Sequence, residues 1–289
     1  MTATATPARA DQAPLAQGDR LARGYEVIAH LRRGRDLDVY DVWSEERDCR
    51  CIAKAARPDR RASKSTRRRL RSEGRLLLSL AHPHIVRAYE LIDRPDPIVV
   101  LETIDGETVD HLVHRRRQRL PLVDIAYLGM HLCSAVQFLH RNGIVHVDLK
   151  PSNVISDFGQ AKLIDLSIAR APQRVPPGIG TRKYMAPEQV EGGEIGPHTD
   201  VWGIGAVLFE AATGAPPFGE SGIQTLNGSA RWSVSPSVRS QRRMPSDLVT
   251  AIEGCLEPDA AARPQVMELS RRLDGFVESR LGAESNAGA

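Results

Sequence analysis

Two hydrophobic periods divide the chain. Across residues 25–101 the apolar positions come in short, often alternating runs at 27–31, 39–43, 51–55 and 98–101, separated by charged turns. Runs of that length and period predict strands. One stretch breaks the rhythm. Over residues 65–80, Leu70, Leu77 and Leu80 recur at helical spacing, so a single long helix is expected among the strands. After Gly106 the period becomes helical. Leu128, Leu132, Val136 and Leu139 form one stripe over residues 125–140, and residues 201–212 are apolar almost all round, as in a helix buried in a core. Between these helices, short runs at 153–156 and 161–166 predict a hairpin.

The expected organisation is a flexible N-terminal tail (1–22), a folded domain (25–275) and a flexible C-terminal tail (277–289). Within the domain, a strand-rich part (25–101) crosses at 102–107 into a helical part (108–275). No internal repeat is found.

Composition changes the picture only by exclusion. Apolar residues are 41% and charged residues 26%, a globular balance that rules out collagen-like and disordered chains. The longest nearly apolar run spans residues 201–209, too short to predict a bilayer-crossing helix. The first ten residues lack a leader's hydrophobic segment, so the expected compartment is the cytoplasm and no membrane partner is expected. Cys49, Cys51, Cys133 and Cys255 have no zinc-site spacing and are expected as reduced thiols. A net charge of +3 without a nucleic-acid motif gives no reason to expect a nucleic acid partner. Of 39 basic residues only Lys54, Lys64, Lys150, Lys162 and Lys183 are lysines, so each is a candidate for a point-charge role.

The chemistry concentrates in residues 146–153, H-V-D-L-K-P-S-N, followed twelve residues on by Asp165 in A-K-L-I-D. Asp, Asn and a second Asp form an oxygen set suited to Mg²⁺, and a nearby Lys can neutralise phosphate. An Asx-rich turn would explain any one of these residues, but not the set. Upstream, Glu73 falls inside the apolar stripe of the 65–80 helix, where a carboxylate needs a cation. Lys54, at the end of a strand, is the candidate partner.

With these residues in view, the chain resembles the eukaryotic-type (Hanks-type) serine/threonine protein kinases of bacteria over residues 25–275. The signatures run in order: L-x-x-G-x-x-x-x-V (31–39), C-I-A-K (51–54), Glu73, H-P-H-I-V (82–86), H-V-D-L-K-P-S-N, D-L-S (165–167), G-T-R-K-Y-M-A-P-E (180–188), D-V-W-G-I-G (200–205) and A-R-P (262–264). The resemblance implies an α+β, bilobal fold: a small antiparallel sheet lobe with one helix, then a larger helical lobe. It implies Mg-ATP, with Mn²⁺ a possible substitute, and a protein Ser/Thr hydroxyl as acceptor. By position it implies that Lys54 contacts the α- and β-phosphates and pairs with Glu73. Asp148 would accept or orient the substrate proton, Lys150 would stabilise the transferring phosphoryl group, and Asn153 and Asp165 would hold Mg²⁺. Leu31, Gly34, Val39, Ile52, Leu101, Glu102, Ile104 and Ile155 would form the nucleotide pocket, with Leu101 as gatekeeper. His146, Asp200, Glu188 and Arg263 would support it, Asp200 anchoring the catalytic loop and Glu188 pairing with Arg263.

A literal D-F-G at 157–159 is too close to Asn153 to be the metal motif, and its residues suit a hairpin turn. Other departures are substantive. Of the family's three loop glycines only Gly34 remains, Arg32 and Leu37 holding the other places. Ile52 adds bulk beside adenine, and Ser167 replaces a glycine. Val147 stands where many members carry the arginine that receives an activation-loop phosphate, and residues 170–180 contain no hydroxyl to phosphorylate. Two rivals therefore accompany the kinase reading: a pseudokinase that binds partners, and a small-molecule kinase of related fold. Residues 60–75 carry seven Arg and one Lys, either a solvated face or a docking surface for an acidic or phosphorylated partner.

Overall fold

The structure, a computed structural model, describes residues 13–116, 119–226, 229–231 and 237–287, which divide into two compact units. The first contains the described residues through Ala81 together with Val86–Thr103. Its strands are β1 (Arg20–Ala22), β2 (Tyr25–Arg33), β3 (Leu37–Ser44), β4 (Cys49–Ala56), β5 (Ala88–Ile92) and β6 (Ile98–Glu102). They form one antiparallel sheet in the order β1-β2-β3-β4-β6-β5. Period-2 alternation sorts the side chains. Tyr40, Val42, Cys51, Ala53 and Val100 pack with Tyr25 and Val27 into one core, which turns Val39, Ile52 and Lys54 to the opposite face. Helix α1 (Lys64–Ser79) is capped by Ser63, whose Oγ accepts from Thr66 N, and buries Leu70, Glu73 and Leu77. A Cβ at Gly74 would meet Leu91 and Val99 at 2.9 Å, so glycine is what lets the helix lie this close to the sheet.

The second unit contains His82–Ile85 and the described residues from Ile104 onward. Its elements are β7 (Glu107–Thr108), α2 (Val109–Arg116), α3 (Leu122–Arg141), β8 (Val154–Asp157), β9 (Gln160–Leu163), β10 (Gln173–Arg174), α4 (Pro187–Glu191), β11 (Glu194–Ile195), α5 (Pro197–Thr213), α6 (Ser246–Cys255) and α7 (Val266–Ala287). Helix α5 is buried almost all round from Thr199 to Ala212 and ends at a left-handed Gly214. By length and a mean hydropathy of 1.5, α3 could cross a membrane, which corrects the expectation drawn from run length alone; half of that window is buried within the unit.

The expected tails are corrected as well. From residue 13 the N-terminal segment is tied to the sheet: Leu15 packs on its core and β1 pairs with β2. Residues 1–12 lie outside the described set. At the other end α7 runs through Ala287, with Phe276 and Val277 buried, because Val266, Leu269, Leu273 and Phe276 present a helical stripe to the unit's core. The second hairpin arm stops at Leu163 rather than residue 166.

Candidate active site

In the first unit, Val39 lies directly across from Lys54 in the β3–β4 ladder, and Leu101 across from Ile52 in β4–β6. Lys54 Nζ donates to Glu73 Oε1 at 2.7 Å, with side chains 10% and 1% exposed. Burial at that depth makes the pair mutually obligatory, since either charge alone would be stranded. Leu101 is buried, and Glu102, at the end of β6, accepts from the Arg87 backbone N–H. Leu31 falls in a β-bulge of β2 and is exposed rather than enclosed.

The β2–β3 turn has a support that motif reading does not reveal. Gly34 N bonds Leu37 O at 2.7 Å, and Arg57 Nη1 reaches the Gly34 carbonyl at 3.3 Å. Below the turn Asp38 is fully buried. It accepts both arms of Arg33, at 2.9 and 3.0 Å, and is 3.1 Å from His30 Nε2. Burial would raise the Asp38 pKa, but the hydrogen bonds from Arg33 and His30 outweigh it and hold the carboxyl below its ordinary value. Side-chain scaffolding thus shapes a turn that glycines shape elsewhere in the family. Helix α1 uses much of its charge internally: Arg67, Arg69 and Arg71 are paired with Asp96, Asp36 and Asp93.

In the second unit, the β8–β9 hairpin explains why residues twelve apart act together. Val154 pairs with Leu163 and Asp157 with Gln160, leaving Phe158 (φ 43°) and Gly159 (φ 80°) as a two-residue turn with both φ positive. The literal D-F-G is that turn, and Phe158 is 98% exposed. At the open end, Ile164 N donates to Asn153 O at 3.0 Å, which holds Asn153 beside the strand leading to Asp165. Ile155 lies in β8, opposite Thr108 and Lys162. Ile104 opens the unit's main segment.

The catalytic-loop segment is built around Asp200, at the start of α5. Its Oδ2 accepts from His146 N and His140 Nε2, both at 2.8 Å, and its Oδ1 from Val147 N at 2.9 Å. Val147 has φ 73°, a left-handed conformation that a β-branched residue rarely adopts. His146 is fully buried and burial lowers its pKa; its Nδ1 accepts from Asp148 N at 3.2 Å. Lys150 Nζ donates to Asp148 Oδ2 at 2.6 Å and to Thr181 Oγ1 at 2.7 Å. Asn153 Nδ2 donates to the Asp148 carbonyl at 3.0 Å, which leaves its Oδ1 as an acceptor. Asp148 Oδ1 is buried and, among the described residues, receives no hydrogen bond.

The 165–188 segment is docked without a phosphate. Val145 and Arg170 exchange backbone hydrogen bonds, and β10 pairs with β11. Val147 packs with Val145, Val175 and Ile195, flanked by Ile168 and Ile179. Gln189, absent from the residues singled out by motif, donates to the carbonyls of Val147 (2.8 Å) and Ile179 (2.7 Å) and accepts from Ala186 N. Arg263 holds Glu188 bidentately at 2.9 and 3.0 Å. Burial would raise the Glu188 pKa, but Arg263's hydrogen bonds and charge, with the Thr199 hydroxyl, lower it.

These elements define a protein kinase domain. The family model for the protein kinase domain matches residues 25–272, and the chain belongs to that family. Among curated relatives, it is 32% identical over 256 residues to the serine/threonine-protein kinase PknB of Mycobacterium tuberculosis, covering 84% of this chain and 40% of that protein. It is 34% identical over 239 residues to the serine/threonine-protein kinase PkaA of Streptomyces coelicolor, covering 75% and 42%. The chain thus matches less than half the length of either relative. The crystal structure of the Mycobacterium tuberculosis PknI kinase domain superposes with a TM-score of 0.72 at 22% identity, covering 91% of this chain and 99% of that one, a likeness of fold.

Mg²⁺, which this family uses with ATP, suits the donors present. Asn153 offers an amide oxygen and Asp165 a carboxylate whose Oδ1 also accepts from Ser167 N at 2.9 Å. Both are hard oxygen ligands placed side by side by the hairpin.

Proposed function

We propose that this chain is a protein serine/threonine kinase that transfers the γ-phosphate of ATP to a protein hydroxyl and needs no phosphate on its activation segment. The observation that carries the transfer is Asp148. Its Oδ2 is held by Lys150, while its Oδ1 is buried and open to a substrate hydroxyl. In this reading Asp148 orients the hydroxyl and takes its proton. The substrate oxygen bonds to the γ-phosphorus as the bond to the β-phosphate oxygen breaks. Lys150, bridging Asp148 and Thr181, stabilises the transferred group, while Lys54, fixed by Glu73, takes the α- and β-phosphates. Asn153 and Asp165 would hold Mg²⁺, which neutralises phosphate charge. The small-molecule rival is disfavoured by the ordered 181–188 segment, which offers a platform for an extended peptide. Incubating the full chain with labelled ATP, Mg²⁺ and a generic basic protein tests the proposal: transfer is expected, and its loss in Asp148→Asn with an unchanged far-UV spectrum. Full activity in that variant would refute it.

Independence from loop phosphorylation is supported by the Val147 cluster. Apolar packing and Gln189 do the ordering that a phosphate and an arginine do in other kinases. The pseudokinase reading draws on one observation, the turn scaffolded by Asp38 rather than by glycines, and ATP titration separates the two. An acidic partner at α1 would have to displace Asp36, Asp93 and Asp96 from their arginines. The four free thiols suit the cytoplasm we propose as its compartment.

A further inference from the structure

Helix α5 carries a carboxylate that the kinase chemistry does not use. Glu210 is 0% exposed and, among the described residues, neither Oε1 nor Oε2 receives a hydrogen bond. A carboxylate in that position is costly unless a cation meets it. No lysine or arginine of the described residues forms an ion pair with it. Lys183, whose charge reaches it, is instead paired with Glu220 at 3.3 Å.

What does meet it is an imidazole and a second acid. His114 Nε2 lies 3.3 Å from Glu210 Oε1 and 3.6 Å from Asp110 Oδ1. Asp110 and His114 are one turn apart on α2, so both project from one face of that helix. The three donor atoms all lie within 4.8 Å of one another. We propose that Asp110, His114 and Glu210 form a Zn²⁺ site linking α2 to α5, separate from the Mg-ATP site.

The distances select the ligand. Zn²⁺ bonds imidazole nitrogen and carboxylate oxygen at about 2.0–2.2 Å, so neighbouring donors on a tetrahedron sit about 3.3–3.5 Å apart. The two distances from His114 Nε2 bracket that edge. Half-exposed Asp110 can close the remaining gap by a side-chain rotation. A guanidinium is a poorer occupant: it is planar, carries only donors, and needs its acceptors spread around a wider rim than three atoms this close provide. Mg²⁺ is disfavoured by the imidazole, Ca²⁺ by the nitrogen and the low donor count. Three protein donors leave a fourth position for water, the arrangement of an open zinc site. The site adjoins the segment that ends in Tyr184, since the Tyr184 phenol feels both Glu210 and Asp110. Bound Zn²⁺ would therefore brace α2 and α5 and cancel negative charge beside the 181–188 platform.

The test is a Zn²⁺ titration of the tag-free full chain against a chromophoric chelator, repeated for His114→Ala and Glu210→Gln. His114 is half-exposed, so its loss leaves the fold intact, as circular dichroism would check. Subtracting the His114→Ala curve removes any Zn²⁺ bound at the Mg-ATP residues. One equivalent is expected in the wild type, weakened at least tenfold in both variants. Co²⁺ in place of Zn²⁺ should give the visible bands of a four-coordinate ion in the wild type alone. Equal Zn²⁺ binding by the wild type and His114→Ala would overturn the proposal. So would no Zn²⁺ binding together with weaker capture of an arginine-containing peptide by Glu210→Gln, which would assign the pocket to a substrate guanidinium.

Discussion

Val147 is held in a conformation it would not choose, and Asp200 is the group that holds it. A left-handed backbone costs a residue with a Cβ about 1–2 kcal/mol. At an ordinary site, Ala→Gly destabilises by about 0.5–1 kcal/mol. At φ 73° the sign should reverse. Val147→Ala and Val147→Gly both lose the buried isopropyl group, so comparing them isolates the backbone. The glycine variant should be the more stable by about 1 kcal/mol, the strain relieved less the entropy lost. The same comparison is then made with Asp200→Asn. Asp200 accepts three hydrogen bonds, two on one oxygen, each worth about 1.5–3 kcal/mol because the acceptor is charged. An amide keeps one acceptor oxygen and turns an N–H₂ toward an N–H. A loss of about 3–5 kcal/mol is expected, and the loop should relax out of its left-handed state. The glycine advantage should then vanish, a coupling of about 1 kcal/mol in a double-mutant cycle. Urea midpoints of the six proteins measure it. A glycine variant no more stable than alanine, or an advantage untouched by Asp200→Asn, would show that Asp200 does not restrain Val147.

Four further outcomes are expected. Asp165→Ala should eliminate Mg-dependent ATP binding in a titration that Asp157→Ala leaves nearly unchanged; the reverse ranking would contradict the assignment of residues 157–159 to a turn. Lys54→Met should abolish transfer and also cost about 3–5 kcal/mol in urea unfolding, because it strands Glu73, and adding Glu73→Gln should restore much of the stability but none of the activity. Phosphatase treatment should leave the rate on a peptide within about twofold, a barrier change under ~0.4 kcal/mol, and a tenfold drop reversed by phosphorylation at Thr181 or Ser167 would refute the apolar docking of the segment. Because the Glu188 pKa is lowered in the fold, its stabilisation is complete above the unfolded carboxyl value near ~4.3 and fades as pH falls through the folded one; the wild type should exceed Glu188→Gln in thermal stability at pH 7 and converge with it in acid, and a constant difference would be inconsistent with that.

The site was legible where chemistry demands a residue type at a fixed spacing. Lys54, Glu73, Asp148, Asn153, Asp165 and Asp200 each serve a charge or a proton, so their types cannot drift. Asp38 and Gln189 were not legible, because they act on neighbouring backbone and side chains through contacts that only the folded register creates: Asp38 meets Arg33 across β2–β3, and Gln189 meets Val147 forty-two residues away. Strand β5 was hidden because A-Y-E-L-I is only half-buried and alternates weakly. Helix α7 carries a readable stripe at Val266, Leu269, Leu273 and Phe276, but its polar, small-residue end resembles a tail. Glu210 sits in a run so apolar that it reads only as a helix terminus.

The β8–β9 hairpin also sets the arithmetic of permissible change between Asn153 and Asp165. Its arms are matched rung for rung across a two-residue turn. Deleting Asp157 and Gln160 together removes one rung, and Asn153 still faces the strand to Asp165 on the same side. Deleting either one alone slips the register and sends every side chain of that arm to the other face. Length variation in this stretch is therefore tolerable in steps of two and ruinous in steps of one. Insertions belong at Phe158, where the chain already projects into solvent and no partner would notice them.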